Sequence, residues 1–192
     1  MSEEEFFDIV DKNGEIIGKS SRKEAHGNPE LMHRSVHVLI LNKKGKLFLQ
    51  KRASNKDIQP GKWDSSVGGH VGLGEEIIEA AKRETEEELG IKKDIFHYMY
   101  RYLWRTEVET ELVTSFFLSY DGPIKICIEE IEEGRFWSFE EIEDTLGKEM
   151  LTPNFEEEYF RLKEYLERRE KVFQKNHNAP RTKKCMFPEQ AS

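Results

Sequence analysis

The feature that most constrains the fold is a short segment in which glycine, arginine and glutamate recur at fixed spacings. Gly69 is followed after five residues by Glu75, and after seven more by the run Arg83-Glu84-Thr85-Glu86-Glu87-Glu88-Leu89-Gly90-Ile91. A glycine-rich stretch that precedes residues with helical periodicity indicates a turn leading into a helix. This helix must accommodate several glutamates close together.

Glu84, Glu87 and Glu88 share one face of this helix, because an α-helix turns by about 100° per residue. Carboxylates four residues apart, such as Glu84 and Glu88, destabilise a helix when nothing compensates their repulsion. A divalent cation would compensate it, since Mg²⁺ binds carboxylate oxygens and retains waters that substrate phosphates can replace. The adjoining face is expected to lie against the core and carries Ile78, Ala81, Thr85 and Leu89.

A solvated helix is the alternative interpretation of the same residues. Glu79 with Arg83, and Lys82 with Glu86, have the i, i+4 spacing of surface ion pairs. Spacing alone therefore leaves both a metal site and an ordinary charged helix face open.

The full pattern resembles the Nudix box, Gly-x5-Glu-x7-Arg-Glu-U-x-Glu-Glu-x-Gly-U, where U is a bulky aliphatic residue. Every fixed position matches, and the single departure is Thr85 at the first U position. The resemblance covers roughly residues 6–166. It implies a Nudix-type α/β/α sandwich of the α/β (α+β) class, with a mixed sheet and the box as a loop-helix-loop.

The resemblance also implies a Mg²⁺- or Mn²⁺-dependent hydrolase that cleaves a small-molecule diphosphate. Its metal ligands would be Glu84, Glu87, Glu88 and Gly69, and its catalytic residues Glu84, Glu87 and Arg83, the arginine orienting a glutamate. Metal ions neutralise the phosphates and lower the pKa of a bound water, and a carboxylate removes the water proton. Glu84 is the predicted base. A later loop offers alternatives, although most of them fit a solvated charge run: Glu129, Glu130, Glu132 and Glu133.

A second resemblance, to type 1 isopentenyl-diphosphate isomerases, lies in the segment MHRSVHVLILNKKGKLFLQKRASNKDIQPGKWDSSVGGHV. In those isomerases three histidines and two glutamates hold a metal beside the reacting carbon. The matching residues here are His26, His33, His70, Glu109 and Glu111. Two glutamates two apart on a strand share one face, and histidine with carboxylate suits a first-row metal. The alternatives are a solvated strand face for the glutamates and ordinary helix-end and strand-entry roles for His26 and His33.

Arg52 and Lys56 match the arginine-x3-lysine pair with which the isomerases bind diphosphate, although a basic surface loop has the same composition. Tyr102 falls where the isomerases carry a functional tyrosine, but an aromatic residue in a strand is more often core. The isomerases require a cysteine where this chain has Gly68. Because glycine cannot transfer a proton, the resemblance favours a hydrolase on an isomerase-like scaffold.

Composition limits the partners and the compartment. The chain has 192 residues with a formal net charge of −8, which disfavours general nucleic-acid binding. No apolar run reaches membrane-spanning length, and the start lacks the features of a signal peptide. Cys127 and Cys185 form no disulfide or zinc pattern, so a cytoplasmic protein is expected. The family resemblance also admits a homodimer.

The remaining pattern predicts one domain over residues 1–175, with an N-terminal hairpin and a C-terminal helix capped by Asn154, and a flexible tail over 176–192. Residues 54–63 are expected to form a polar loop, and a short strand is expected to end at Phe136-Trp137. Substrate choice stays open, since the aromatics that could stack a base are equally suited to packing: Trp63, Trp104, Phe136 and Trp137. An isomerase-like enzyme and a non-catalytic module that senses a diphosphate ligand are the alternatives to the hydrolase.

Overall fold

The computed structural model describes residues 4–56 and 58–178. The chain divides into two compact units, Met1–Glu157 and Glu158–Ser192. The strands are β1 (Phe6–Val10), β2 (Ile16–Ser21), β3 (His33–Leu41), β4 (Leu47–Arg52), β5 (Trp63–Asp64), β6 (Val67–His70), β7 (His97–Arg105), β8 (Thr110–Ser119) and β9 (Ile131–Trp137). The helices are α1 (Arg22–Ala25), α2 (Ile77–Leu89), α3 (Phe139–Glu143) and α4 (Pro153–Asn178).

Strand β3 organises the sheet of the first unit. It pairs in parallel with β8 along its whole length, from His33 opposite Glu111 onward, and antiparallel with β6, where Ser35 lies opposite His70. Strands β1 and β4 pair antiparallel with its two ends. Strand β2 joins β1, β5 and β9 join β4, and β7 joins β8. The mixed sheet and its helices confirm the predicted α+β class.

The alternation of side chains along β3 separates the core from the site. Val36, Val38 and Ile40 are buried in the core cluster together with residues of α2. Successive strand residues point to opposite faces, so His33, Ser35 and His37 face the other side. This polar face of β3 continues into the same face of the two strands paired with it, β6 and β8.

Two strands were missed in the segment that was expected to be loop and turn. Trp63 and Asp64 form β5 against β4, and residues 67–70 form β6 against β3. A two-residue strand and the sequence Val-Gly-Gly-His carry no alternating apolar pattern, so they are recognisable only through their partners. Strand β9 begins at Ile131, five residues before Phe136. The sequence did not predict this early start, because the middle residues of the strand are polar.

Helix α4 begins one residue earlier than its predicted cap. The Thr152 hydroxyl accepts a hydrogen bond from the Phe155 backbone at 3.2 Å, so Thr152 and not Asn154 caps the helix. The capping boxes at Ser21 and Ser138 are present as their sequences indicate.

The second unit contains the rest of α4, which continues to Asn178. Glu164 and Arg168 form an i, i+4 ion pair at 2.7 Å on it. Residues 179–192 of the predicted tail lie outside the described residues, and the predicted domain limit at residue 175 stays a prediction. Within the described ranges, no helix is both long and apolar enough to cross a lipid bilayer.

Candidate active site

One cavity of about 890 Å³ in the first unit collects nearly all of the predicted site residues. His33 is the exception, since it is fully buried behind the cavity wall. The predicted residues that line the cavity are Gly69, Arg83, Glu84, Glu87, Glu88, His26, His70, Glu109, Glu111, Arg52 and Lys56.

Glu84 lies against the backbone of Gly69. A Cβ atom at position 69 would overlap the carboxyl group of Glu84, so only glycine leaves room for this side chain. Arg83 donates to Glu84 Oε1 at 2.7 Å, and its Nε and Nη2 donate to the two oxygens of Glu75 at 2.9 Å each. It also donates to Glu87 Oε2 at 3.2 Å. Arg83 therefore holds three glutamates, of which Glu75 lies in the loop before the helix.

The observed contacts replace both predicted ion pairs of the solvated-helix interpretation, since Glu86 pairs with Lys92 at 2.7 Å and not with Lys82. Arg83 bonds to Glu75 and Glu84 and not to Glu79, which accepts from Lys82 at 2.8 Å. The predicted pairing of Glu79 with Arg83 is therefore wrong, because Arg83 turns toward the loop that precedes its own helix.

Glu88 is the most enclosed glutamate of the set, with 7% of its surface exposed. Gln50 on β4 donates to its Oε2 at 2.9 Å. Burial, and next the charge of Glu84, raise the pKa of Glu88 to about 8, although the Gln50 hydrogen bond opposes this. Burial likewise raises the pKa of Glu84 against the charge of Arg83. Burial therefore disfavours the charged forms of both carboxylates, and a divalent cation bound beside them would stabilise those charged forms.

Metal-free protein is expected to lose stability as pH rises from about 5 to 8. The pKa of Glu88 is 4.5 in the unfolded chain and about 8 in the fold. The contribution of this group to stability is therefore complete below pH 4.5 and is lost as the pH rises to about 8. In urea unfolding with a chelator, the free energy of unfolding of Glu88→Gln should rise relative to that of the wild type by roughly 3 kcal/mol over this pH range. Glu86→Gln, at an exposed position, should follow the wild type. A difference that does not change with pH would contradict the prediction.

The second predicted cluster is also assembled. The ligand-capable nitrogens of His26, His33 and His70 all lie within 4.8 Å of one another. His70 Nε2 is 3.2 Å from Glu111 Oε1, and His26 Nε2 is 3.7 Å from Glu109 Oε2. The register of the sheet explains the approach, because His33 stands opposite Glu111 and Ser35 stands opposite His70.

Burial disfavours the charged forms of two of the three histidines, His26 and His33. Burial, and next the charge of His70, lower the pKa of His26 to about 4, and burial lowers that of His33. Burial raises the pKa of Glu111, but the hydrogen bond and charge of His70 outweigh it and bring the value to about 2. His33 Nε2 and Glu109 Oε2 are buried without a hydrogen-bond partner. Such atoms cost free energy unless a ligand satisfies them.

The cationic side of the cavity is neutralised by carboxylates. Arg52 donates to Asp64 Oδ2 at 3.3 Å, and Lys56 is paired with Glu130. Burial, and next the charge of Arg52, lower the pKa of Lys56. Of the four glutamates offered as alternative bases, Glu130 is the one that lines the cavity.

Sequence reasoning missed several lining residues: Gln50, Asp64, His37, Asn154 and Cys127. Cys127 is distant in sequence from the isomerase-like segment, yet its backbone N–H bonds to the Glu88 carbonyl at 2.8 Å and this places it at the cavity. Of the tryptophans, Trp104 lines the cavity, whereas Trp63 and Trp137 are buried against each other.

The family model of the NUDIX domain matches residues 31–168, which is more than half of the chain. The chain belongs to the Nudix hydrolase family. The Nudix-box resemblance is thereby confirmed.

Two relatives represent the two resemblances within the Nudix family. An uncharacterised Nudix hydrolase of Streptomyces coelicolor is 31% identical over 172 residues, which cover 84% of this chain and 90% of the relative. Isopentenyl-diphosphate Delta-isomerase 1 of Photorhabdus laumondii is 30% identical over 159 residues, which cover 79% of this chain and 90% of the relative. The likeness to the isomerase branch is therefore present along most of the chain.

Solved structures confirm the Nudix fold. The protein DR0079 of Deinococcus radiodurans superposes with a TM-score of 0.72 at 23% identity, covering 82% of this chain and 98% of its own. A MutT protein of Methanosarcina mazei gives a TM-score of 0.59 at 28% identity, covering 77% of this chain and 97% of its own.

Proposed function

We propose that this Nudix protein is a Mg²⁺- or Mn²⁺-dependent hydrolase that cleaves the diphosphate linkage of a nucleoside diphosphate derivative or related organic diphosphate. The observation that carries the proposal is the grouping of Glu84, Glu87 and Glu88 at one cavity, with Gly69 leaving room for Glu84. A protein that only senses its ligand has no need of a complete catalytic set.

The donor set fits a hard divalent cation. Glu84, Glu87 and Glu88 offer carboxylate oxygens, and Gly69 offers a backbone carbonyl on the adjacent strand, which are the ligand types that Mg²⁺ prefers. The raised pKa values of Glu84 and Glu88 support the fit, because a bound cation would offset the burial that causes them.

The residues around these three glutamates have separate roles in hydrolysis. A bound divalent ion would neutralise phosphate charge and lower the pKa of a coordinated water. Arg52 and Lys56 bind the diphosphate after exchanging their present carboxylate partners, Asp64 and Glu130, for phosphate oxygens. Glu84 accepts the proton of the attacking water, and Arg83 holds its carboxylate in place.

An isoprenoid-diphosphate isomerase is the second candidate, favoured by the assembled histidine cluster and the isomerase relative. Gly68 opposes it, because this residue lines the cavity where the isomerases need a proton-transferring cysteine. Cys127 also lines the cavity, but its Sγ donates to Glu129 Oε2 at 3.1 Å from a different loop. We therefore prefer hydrolysis.

We propose that His26, His33, His70, Glu109 and Glu111 hold a second metal ion of the first transition row. Neutral imidazole nitrogens with carboxylates suit Mn²⁺, Zn²⁺ or Co²⁺. The support is the approach of the three histidines and the two buried atoms without partners.

Co²⁺ is expected to perturb the ring signals of these three histidines in an NMR titration, whereas His97 on β7 should be unaffected. His33→Gln should weaken this binding at least tenfold, because it removes one nitrogen ligand. His97→Gln, at an exposed position, is the matched control and should bind Co²⁺ like the wild type. Equal Co²⁺ affinity of the wild type and His33→Gln would contradict the second site.

Cleavage of the diphosphate linkage by purified protein with Mg²⁺ or Mn²⁺, followed by chromatography of the phosphorylated products, tests the proposed hydrolase. The substrates are nucleoside diphosphates and triphosphates, nucleotide sugars, dinucleotides and isopentenyl diphosphate, with Glu87→Gln as the comparison. Cleavage of one class that falls at least a hundredfold in Glu87→Gln supports the proposal. Cleavage that is unchanged in Glu87→Gln, or isomerisation of isopentenyl diphosphate without cleavage, would overturn it.

A further inference from the structure

The loop that precedes α2 is held by a charged pair outside the cavity. Asp8 on β1 and Arg34 on β3 form an ion pair at 2.7 Å, with only 7% and 12% of their side chains exposed. Asp8 Oδ2 also accepts a hydrogen bond from the backbone N–H of Gly74 at 2.8 Å. Arg34 Nη2 also donates to the backbone carbonyl of Glu75 at 3.2 Å. We call this ion pair, together with its two contacts to the loop, the Asp8–Arg34 clamp.

Two backbone hydrogen bonds hold the same loop against the same two strands. The Val71 N–H donates to the Arg34 carbonyl on β3, and the Leu73 N–H donates to the Phe6 carbonyl on β1, each at 3.0 Å. Strand β1 lies before residues 31–168, which the NUDIX family model matches, so this match does not account for Asp8.

Glu75 connects the clamp to the proposed active site. While Arg34 holds its backbone carbonyl, its carboxylate accepts from Arg83 Nε and Nη2 at 2.9 Å each. The Arg83 hydrogen bond outweighs burial and, with the Gly72 amide and the charges of Arg83 and Arg34, lowers the pKa of Glu75. Arg83 in turn donates to Glu84 Oε1 at 2.7 Å. The contacts therefore continue without a break from the clamp to the predicted base.

The clamp contributes little to stability for the charge that it buries. The attraction within a buried ion pair is largely offset by the cost of removing both charges from water. Arg34 Nε is moreover buried without a hydrogen-bond partner in the part of the chain that the structure describes, and such an atom costs free energy. What the pair does provide is a fixed position for the loop.

We propose that Asp8 and Arg34 are positioning residues for the hydrolysis, and that they act on Glu84 through Glu75 and Arg83. This inference rests on the proposed function and extends its machinery to β1. A displacement of about 1 Å at a reacting group can lower a rate by about 10²-fold. Without the clamp the loop is free to move, and Arg83 and the Glu84 carboxylate move with it.

Asp8→Ala should lower kcat for diphosphate cleavage at least tenfold and change KM less than threefold, because Arg52 and Lys56 keep their phosphate contacts. Asp8→Asn should recover part of the loss, since its amide oxygen can still accept from Gly74. Glu164→Ala on α4 is the control. It removes an exposed carboxylate that is paired with an arginine at the same 2.7 Å, and its kcat should equal that of the wild type.

A double-variant cycle tests the route through Arg83. Arg83→Met removes the connection between Glu75 and Glu84, so adding Asp8→Ala to Arg83→Met should lower kcat less than threefold further. A further loss of tenfold or more would mean that Asp8 acts by another route, and it would overturn the inference.

A charge-free variant separates positioning from stability. Asp8→Ala leaves the Arg34 charge buried without its partner, which by itself destabilises a fold. Asp8→Val combined with Arg34→Met removes both charges, so its urea midpoint should lie close to that of the wild type. Its kcat should nevertheless stay at least tenfold lower, because neither new side chain can bond to the loop. Wild-type kcat in this folded double variant would overturn the inference.

Hydrogen exchange of the Arg83 Nε–H, followed by NMR in metal-free protein, separates this inference from the proposed function and needs no turnover. Exchange should be at least tenfold faster in Asp8→Ala than in the wild type or Glu164→Ala. If the wild type cleaves no diphosphate but exchange is faster in Asp8→Ala, the hydrolase is overturned and the clamp is supported. If the wild type cleaves and folded Asp8→Ala keeps both its kcat and slow exchange, the hydrolase is supported and the clamp is overturned.

Discussion

Glu84→Gln is expected to lower kcat for diphosphate cleavage by about 10²- to 10⁴-fold, the range associated with losing a general base. Glutamine has nearly the same shape, so it fits beside Gly69, but it is neutral and cannot take the proton of water. Stopped-time assays under saturating substrate and Mg²⁺ measure the loss. KM should change much less, because Arg52 and Lys56 retain their phosphate contacts.

Two observations distinguish this loss from unfolding. Glu86→Gln, on the same helix but exposed and paired with Lys92, should keep wild-type turnover. Glu84→Gln should melt at or above the wild-type temperature in the absence of metal, because burial opposes the charged form of Glu84. Turnover of Glu84→Gln within threefold of the wild type would remove Glu84 from the mechanism and direct attention to Glu130 at the cavity.

The glutamates of α2 could be predicted from the sequence because they depend on local geometry. Residues 84, 87 and 88 share a face in any α-helix, whatever surrounds it. The motif predicts a glycine at position 69 but does not give the reason why glycine is required there. That reason is the approach of Glu84 to the β6 backbone, which appears only when the helix is packed on the sheet.

Contacts between distant segments account for what the sequence did not predict. Gln50 bonds to Glu88 across 38 positions, and Tyr102 reaches Asn154 across 52. Both depend on which strand stands next to which, and no local pattern encodes this. The histidine cluster was expected only through the isomerase resemblance. The antiparallel pairing of β3 with β6 brings His33 near His70, and the parallel pairing of β3 with β8 brings Glu111 to them.

Gly69→Ala is expected to lower kcat about a hundredfold or more, although only one methyl group is added. The new Cβ would overlap the Glu84 carboxyl group, so this side chain must leave its position and carry a metal ligand with it. Backbone strain is not the cause, because Gly69 is not among the glycines with positive φ. Gly18→Ala on β2 supplies the control, and its turnover should equal that of the wild type.

A double-variant cycle tests whether the effect of Gly69→Ala passes through Glu84. If both substitutions act on the same carboxylate, Gly69→Ala combined with Glu84→Gln should be no slower than the worse single variant. Independent effects would instead multiply and give a far slower double variant. The Mg²⁺ affinity of the double variant should likewise be no weaker than that of the worse single variant. Multiplying losses would mean that Gly69 contributes through its own carbonyl, separately from the room it leaves for Glu84.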